Sequence, residues 1–193
     1  MIQNPSPPQW ALLCGALHAL AGLALLLAPP AGGATALLRA FPRAAWAGRV
    51  LSALAWAGAA WAAYIMPLDI LHVIQQPRVL LPATAVLILL TWWWTPDLLA
   101  CRGVAGLLML FPCPLFAALR AHPSAWRLAP ILFAYAAAVA GMAVMFSPHY
   151  LRRALHFLAD RPAARKICGA VLLAMGALFI TLAFTALQPV LFP

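Results

Sequence analysis

About six apolar runs, separated by short polar or proline-containing stretches, constrain the fold of this chain more than any other feature. A run of about 20 apolar residues can cross a bilayer as an α-helix, because a helix satisfies its own backbone polar groups. Of the 193 residues, 66% are hydrophobic and 8% are charged, unlike a soluble domain. We therefore predict an all-α, polytopic transmembrane helical bundle. The runs cover residues 10–27, 45–65, 79–95, 98–119, 126–146 and 166–187.

The third and fourth runs are separated by only Pro96 and Asp97, which favours a tight central helical hairpin over residues 79–119. Pro112 and Pro114 lack the backbone N–H that a helix needs, so they are expected to kink or break the fourth run. A re-entrant element is the alternative to a full span over residues 98–119.

Arginine and lysine are distributed unevenly between alternate loops. By the positive-inside rule this predicts that the odd-numbered loops are cytoplasmic and that both termini are not. The first nine residues lack the basic segment of a signal peptide, so the first run is expected to remain as a span. The rule also explains the net charge of +9, and no nucleic-acid partner is expected. The odd-numbered loops and their flanks hold Arg39, Arg43, Arg49, Arg102, Arg152, Arg153, Arg161, Arg165 and Lys166, and the even-numbered loops hold Arg78, Arg120 and Arg127.

Two similar segments indicate an internal repeat. Residues 21–29 read AGLALLLAP and residues 140–148 read AGMAVMFSP, and each leads from an apolar run into a basic, proline-containing segment. We predict a single membrane domain, residues 1–193, that contains two related helix–interfacial linker–helix units. These units cover residues 10–65 and 126–187.

The second linker has the pattern of an amphipathic surface helix. Leu151, Ala154, Leu155 and Leu158 share one face by helical spacing. Arg152, Arg153, His156 and Asp160 occupy the other side, and Ser147 and Pro148 suit the helix start. Such a helix is expected to lie in the headgroup layer of the membrane.

Residues 140–180 resemble the YjeT-like group of small, two-helix bacterial inner-membrane proteins. The matching pattern is a glycine-containing helix, a proline, a basic linker and a glycine-rich second helix. The resemblance implies a bacterial cytoplasmic membrane setting but no catalytic residues, because the group has no established activity. The matching positions are Gly141, Pro148, Arg152, Arg153, Pro162, Arg165, Gly169 and Gly176.

His18 is the one histidine expected inside a span, with Cys14 one helical turn earlier. An imidazole there could bind a haem or chlorophyll-type pigment. The alternative is a histidine that hydrogen-bonds between packed helices. A transmembrane haem held by two histidines needs a second histidine at similar depth. His72, His122, His149 and His156 all fall near loops or interfaces, so we predict no resident cofactor.

No catalytic or metal-binding constellation is recognisable. The acids Asp69, Asp97 and Asp160 are expected in loops or at interfaces, which disfavours an ion-coupled transporter. No GxSxG motif surrounds Ser52, and the cysteines form no CxxC pair, so neither an enzyme nor a metal site is predicted. The cysteines are Cys14, Cys101, Cys113 and Cys168.

Two functions therefore remain. The first is a non-catalytic accessory or structural subunit of a larger membrane complex, with other integral membrane subunits and anionic phospholipids as partners. The second is a protein that binds or transports a hydrophobic ligand such as a lipid, quinone, haem or pigment, and the tryptophans Trp92, Trp93 and Trp94 are consistent with it. The residues expected to contact lipid or an acidic partner are Arg152, Arg153, Arg161, Arg165 and Lys166.

Overall fold

The computed structural model describes residues 6–29, 32–65, 75–120 and 122–187, and within them it contains helices and no strands. Asp69 and His72 lie outside the described residues. Single 3₁₀ turns precede two of the long helices, at Phe41–Arg43 and Ala125–Arg127. The α-helices are α1 (Pro7–Leu27), α2 (Gly33–Ala40), α3 (Ala45–Ile65), α4 (Pro77–Trp94), α5 (Leu99–Leu110), α6 (Pro112–Leu119), α7 (Leu128–Phe146), α8 (His149–Asp160) and α9 (Pro162–Thr185).

The prediction of an all-α membrane bundle is confirmed. Among the described residues, 5 helical segments are long and apolar enough to cross a membrane. The remaining predicted run, residues 45–65, forms α3, which has 21 residues and carries Arg49 but is not one of these five segments. The five segments are Pro7–Leu27, Pro77–Trp94, Leu99–Leu119, Ala125–Phe146 and Pro162–Thr185.

The fourth run breaks where its prolines predict. α5 ends at Leu110, Phe111 forms a turn, and α6 begins at Pro112. Four residues join α4 to α5, and Leu98 adopts a left-handed conformation with φ 55° at the start of α5. α4 and α5 follow each other closely in the chain, but each packs chiefly on α3 within the described residues. The central hairpin over residues 79–119 stays a prediction.

The described residues divide into two compact units, each built from segments distant in sequence. The first unit contains α1, α6, α9 and the first part of α7. The second contains α3, α4, α5 and the last part of α7. The units do not follow the boundaries of the predicted repeat, since α1 and α3 belong to different units, and the repeat itself stays a prediction.

The first unit is organised by the close approach of α1 and α9, which run antiparallel. A Cβ atom on Gly22 would lie 2.6 Å from the carbonyl oxygen of Gly169, and one on Gly176 would lie 2.8 Å from that of Gly15. No side chain fits at those distances. The two glycine pairs thus bring the helix backbones into direct contact, as small residues do in membrane bundles.

Around each linker the chain follows the same order of long helix, short helix, long helix, with α2 and α8 as the short helices. α8 begins at His149, one residue after the predicted start. The predicted apolar face is partly present, because Leu151, Leu155 and Leu158 are half-buried while Ala154 is exposed. Arg152 and His156 are also half-buried, so the buried face is rotated toward the predicted polar side.

Candidate ligand-binding cleft

The second unit contains a cleft of about 580 Å³ formed by α3, α4 and α5. This volume lies within the range typical of small-molecule sites, about 300–1,000 Å³. One face of each helix contributes residues at helical spacing, and Met145 of α7 completes the wall. The lining residues are Ser52, Ala55, Trp56 and Ala59 of α3, Leu87, Leu90, Thr91 and Trp94 of α4 with Thr95 after it, and Arg102, Gly103, Gly106, Met109 and Leu110 of α5.

Small residues set the narrow side of the cleft. α3 and α5 run parallel, and a Cβ atom on Gly103 would lie 2.8 Å from the backbone nitrogen of Ser52. One on Gly106 would lie 2.9 Å from the Cβ of Ala55. The absence of side chains at these two positions lets α5 lie directly against α3.

Two tryptophans hold α3 and α4 apart on the wide side of the cleft. The indole Nε1 of Trp56 donates a hydrogen bond to the hydroxyl of Thr91 at 2.9 Å, and that of Trp92 donates to the hydroxyl of Ser52 at 3.0 Å. Each bond joins α3 to α4 through a large ring rather than through direct backbone contact. α5 packs directly against the backbone of α3, whereas side chains bridge α4 to α3. A space therefore opens between α4 and α5.

The hydroxyl groups in the wall already have acceptors. Ser52 donates to the carbonyl oxygen of Arg49 at 3.1 Å. Thr91 donates to that of Leu87 at 2.7 Å, and Thr95 donates to that of Thr91 at 2.9 Å. The three hydroxyl groups that line the cleft are therefore satisfied within the protein.

Arg102 is the charged side chain among the residues that line the cleft. It lies in the first turn of α5, is half-buried, and lines the cleft. Its Nε is buried and has no hydrogen-bond partner among the described residues. An arginine is always charged and carries five N–H donors, so the cleft has one end with unused donors and a positive charge.

His18 lies in the first unit, where its imidazole packs against two phenylalanines. Its Nδ1 lies 2.7 Å from the carbonyl oxygen of Cys14, and the rings of Phe133 and Phe179 meet it edge-on at 4.8 and 5.8 Å between centroids. With a proton on Nδ1, the imidazole donates this hydrogen bond within its own helix. The described residues contain no group of three or more histidine, cysteine or acidic side chains arranged to hold a metal ion.

The basic residues expected to contact lipid or a partner differ in how far their side chains are exposed. Arg153, Arg161 and Lys166 are exposed, as that role requires, and Arg152 is half-buried. The guanidinium of Arg161 stacks 4.8 Å from the ring centroid of Phe157.

Arg165 differs from its neighbours, because only 1% of its surface is exposed. Its Nη2 donates to the carbonyl oxygen of Ala28 at 3.1 Å, just beyond the end of α1. Its Nε and Nη1 are buried without hydrogen-bond partners among the described residues. α9 begins at Pro162, earlier than the apolar run, and carries Arg165 into the packed side of the helix. Arg165 is therefore not exposed for the contact with lipid or an acidic partner that the sequence predicts.

The sequence pattern indicates Arg102 only as a loop charge, and it gives no indication that Trp56 and Thr91 line a cleft. The available signal was the recurrence of polar or aromatic residues at helical spacing, Ser52 with Trp56 on α3 and Thr91 with Trp94 on α4. In a chain that is 66% hydrophobic this signal does not separate a cleft from a lipid-facing surface.

Comparison of the chain with protein-family models, with curated proteins and with solved structures found no match. The resemblance to the YjeT-like group therefore stays a prediction from the residues that carry it.

Proposed function

We propose that this chain is an integral membrane protein that binds a hydrophobic, lipid-like ligand in the cleft between α3, α4 and α5. The observation that carries the proposal is the preformed cavity of about 580 Å³, whose hydroxyl groups already donate within the protein. At one end the Nε of Arg102 is buried without a partner among the described residues. Concave, mostly apolar sites with few polar groups are typical of small-molecule binding.

The cleft favours ligand binding over the accessory-subunit hypothesis. Both hypotheses require apolar outer surfaces, because lipid tails and neighbouring transmembrane helices demand similar side chains. Only ligand binding requires an open space inside one compact unit. The accessory-subunit role stays a prediction from the sequence.

We propose further that the chain crosses a bacterial cytoplasmic membrane six times, with both termini outside the cytoplasm. The glycine contacts place α3 beside α5 from Gly48 near Ala100 to Gly58 near Leu110. Since α5 belongs to a candidate span, α3 lies at the same depth along its length. The bias of arginine and lysine toward alternate loops supports the orientation.

Filling the cleft tests the ligand-binding proposal. Ala59 lines the cleft, whereas Ala57 lies two residues away on the exposed face of the same helix. Full-length wild-type protein, Ala59→Phe and Ala57→Phe are purified in mild detergent, and bound lipid is counted by native mass spectrometry. Circular dichroism and gel filtration confirm that each variant is folded.

We expect wild-type protein and Ala57→Phe to retain the same bound lipid, and Ala59→Phe to lose it. Equal retention by folded Ala59→Phe, or an unliganded wild-type protein, contradicts the proposal. Other membrane proteins that co-purify at fixed stoichiometry in place of lipid would favour the accessory-subunit hypothesis.

A further inference from the structure

We infer that the ligand of the cleft is an anionic lipid of the surrounding membrane leaflet, with its negative headgroup at Arg102 and an alkyl chain along the α3–α5 wall. This inference rests on the proposed function and adds the charge and the position of the ligand.

The charge follows from Arg102. Its Nε is buried without a partner among the described residues, while the hydroxyls of Ser52, Thr91 and Thr95 already donate to backbone carbonyls. A buried donor on a charged group is costly when it is left unpaired. A phosphate or carboxylate supplies pairs of acceptor oxygens that match the planar fork of donors on a guanidinium, whereas a neutral amphiphile would leave the charge unpaired.

Two other charged side chains near this end of the cleft, Arg49 and Asp97, do not pair with Arg102. Arg49 is exposed, and its guanidinium lies over the ring of Trp92, 6.0 Å from the centroid. Asp97, in the turn before α5, is exposed. The guanidinium of Arg102 makes no hydrogen bond or ion pair with any described residue, including this carboxylate. The end of the cleft is therefore positive.

The lining residues give the cleft a polar end and an apolar end. The hydrogen bonds between α3 and α4 place Thr91 beside Trp56 and Trp92 beside Ser52, so α4 runs opposite to α3 and α5. Ser52, Thr95 and Arg102 thus lie at one end. Ala59, Leu87 and Leu110 lie at the other, where only alkyl groups are available for contact.

The length of the cleft matches one leaflet. Arg102 and Leu110 are eight residues apart on the chain, or about 12 Å along a helix at 1.5 Å per residue. Half of a hydrocarbon core of about 30 Å is about 15 Å. Arg102 lies in the first turn of α5, close to the turn that ends α4, so the headgroup would remain at the interface while the chain reaches toward the membrane centre.

The aromatic residues suit the same arrangement. Trp94 borders the polar end and is 78% exposed. Tryptophan prefers the interface, where its ring contacts alkyl chains and its N–H remains accessible to water. Trp56 lies further along the wall with its N–H occupied by Thr91, so it offers only its apolar ring to a bound chain.

Two probes with the same alkyl chain test the inference, a monoalkyl phosphate and the neutral monoalkyl glycerol. Binding to full-length protein is titrated by native mass spectrometry in wild-type protein, Arg102→Gln, Arg102→Lys and the control Arg43→Gln. Arg43 is exposed in the turn before α3, belongs to a predicted cytoplasmic loop and does not line the cleft, so its replacement removes one positive charge without altering the cleft.

We expect wild-type protein and Arg43→Gln to bind the phosphate probe more tightly than the glycerol probe. Arg102→Gln should lose about ten-fold in affinity for the phosphate probe, the scale of one charge-assisted hydrogen bond, and little for the neutral probe. Arg102→Lys should keep part of the preference, because it retains the charge without the planar donors. Excess inorganic phosphate should not displace the alkyl phosphate.

Other outcomes overturn the inference. If both probes bind equally and Ala59→Phe blocks both, the hydrophobic cleft stands and the preference for an anion is wrong. If neither probe binds to wild-type protein, the proposed function fails and the inference fails with it. Displacement by inorganic phosphate alone would identify a site for a soluble anion rather than for a lipid.

Discussion

The indole nitrogen of Trp56 on α3 donates a hydrogen bond to the hydroxyl of Thr91 on α4 at 2.9 Å. Thr91 in turn donates to the carbonyl oxygen of Leu87, one turn earlier in α4. This two-step chain fixes the wide side of the cleft, because it sets how far α4 lies from α3.

Replacement of Trp56 by phenylalanine should lower the stability of the second unit by about 1 kcal/mol, the net value of a typical hydrogen bond. Thr91 keeps its own acceptor at Leu87, so no donor is left unsatisfied. Thermal unfolding in detergent, followed by circular dichroism, measures the change. Trp61→Phe is the matched control, since Trp61 lies on the same helix, is 49% exposed and stacks on Tyr64. An equal loss in both variants contradicts the role of the Trp56 bond.

Replacement of Gly22 by alanine should destabilise the contact between α1 and α9. The added Cβ would lie 2.6 Å from the carbonyl oxygen of Gly169 and 2.7 Å from the backbone nitrogen of Leu173. These are backbone atoms that cannot move away alone, so a loss of about 1–3 kcal/mol is expected from overpacking.

The sign of this effect is diagnostic, because alanine ordinarily stabilises a helix relative to glycine by up to about 1 kcal/mol. Gly33→Ala provides the control, since nothing lies within 4 Å of a Cβ at this position in α2. The unfolding temperature should fall for Gly22→Ala and stay constant or rise for Gly33→Ala. A rise in both would mean that α1 and α9 do not approach at Gly22.

Replacement of Arg165 by methionine should preserve or increase stability. The wild-type side chain is 1% exposed and makes one hydrogen bond, to the carbonyl oxygen of Ala28, while two of its nitrogens have no partner among the described residues. Replacing a buried charge by an apolar side chain of similar size is often neutral or stabilising by up to about 4 kcal/mol.

Thermal unfolding of Arg165→Met, compared with Lys166→Met at the exposed neighbouring position, measures this effect. A clear loss of stability confined to Arg165→Met would contradict the expectation. It would mean that the guanidinium is paired with a group outside the described residues.

Replacement of His18 by phenylalanine should leave the fold and the absorption spectrum unchanged. The edge-on ring contacts with Phe133 and Phe179 can be kept by a phenyl ring, and only the bond to the carbonyl oxygen of Cys14 is lost. Absorption spectroscopy of purified wild-type and variant protein provides the test. A Soret or pigment band present in the wild-type protein and absent from His18→Phe would assign a bound cofactor to this histidine.

The positions of the long helices could be predicted because a helix that crosses the membrane needs an apolar run long enough to span the hydrocarbon core. The run at 45–65 coincides with α3, and Pro112 marks the break in the fourth run within two residues. The start of α9 was misplaced by four residues, since a helix continues through charged residues where an apolar run ends. That difference decides the environment of Arg165.

The cleft could not be predicted in the same way. Its formation depends on a difference between two contacts of α3, a close one with Gly103 of α5 and a bridged one with Thr91 of α4. Both contacts join residues distant in sequence. The residues around them are largely alanines and leucines, which also make up the other described helix faces. Hydropathy identifies membrane spans, but it carries no information on which faces meet.

Photocrosslinking with an anionic phospholipid that carries a diazirine near the end of one acyl chain distinguishes a lipid bound in the cleft from lipid on the outer surface. The full-length protein is reconstituted into vesicles that contain a small fraction of this lipid, irradiated and mapped by peptide mass spectrometry. We expect crosslinks at Ala59, Leu87 and Leu110, which saturate at low probe fraction and disappear in Ala59→Phe. Crosslinks confined to exposed outer residues such as Leu89 and Trp61, rising without saturation, would contradict it.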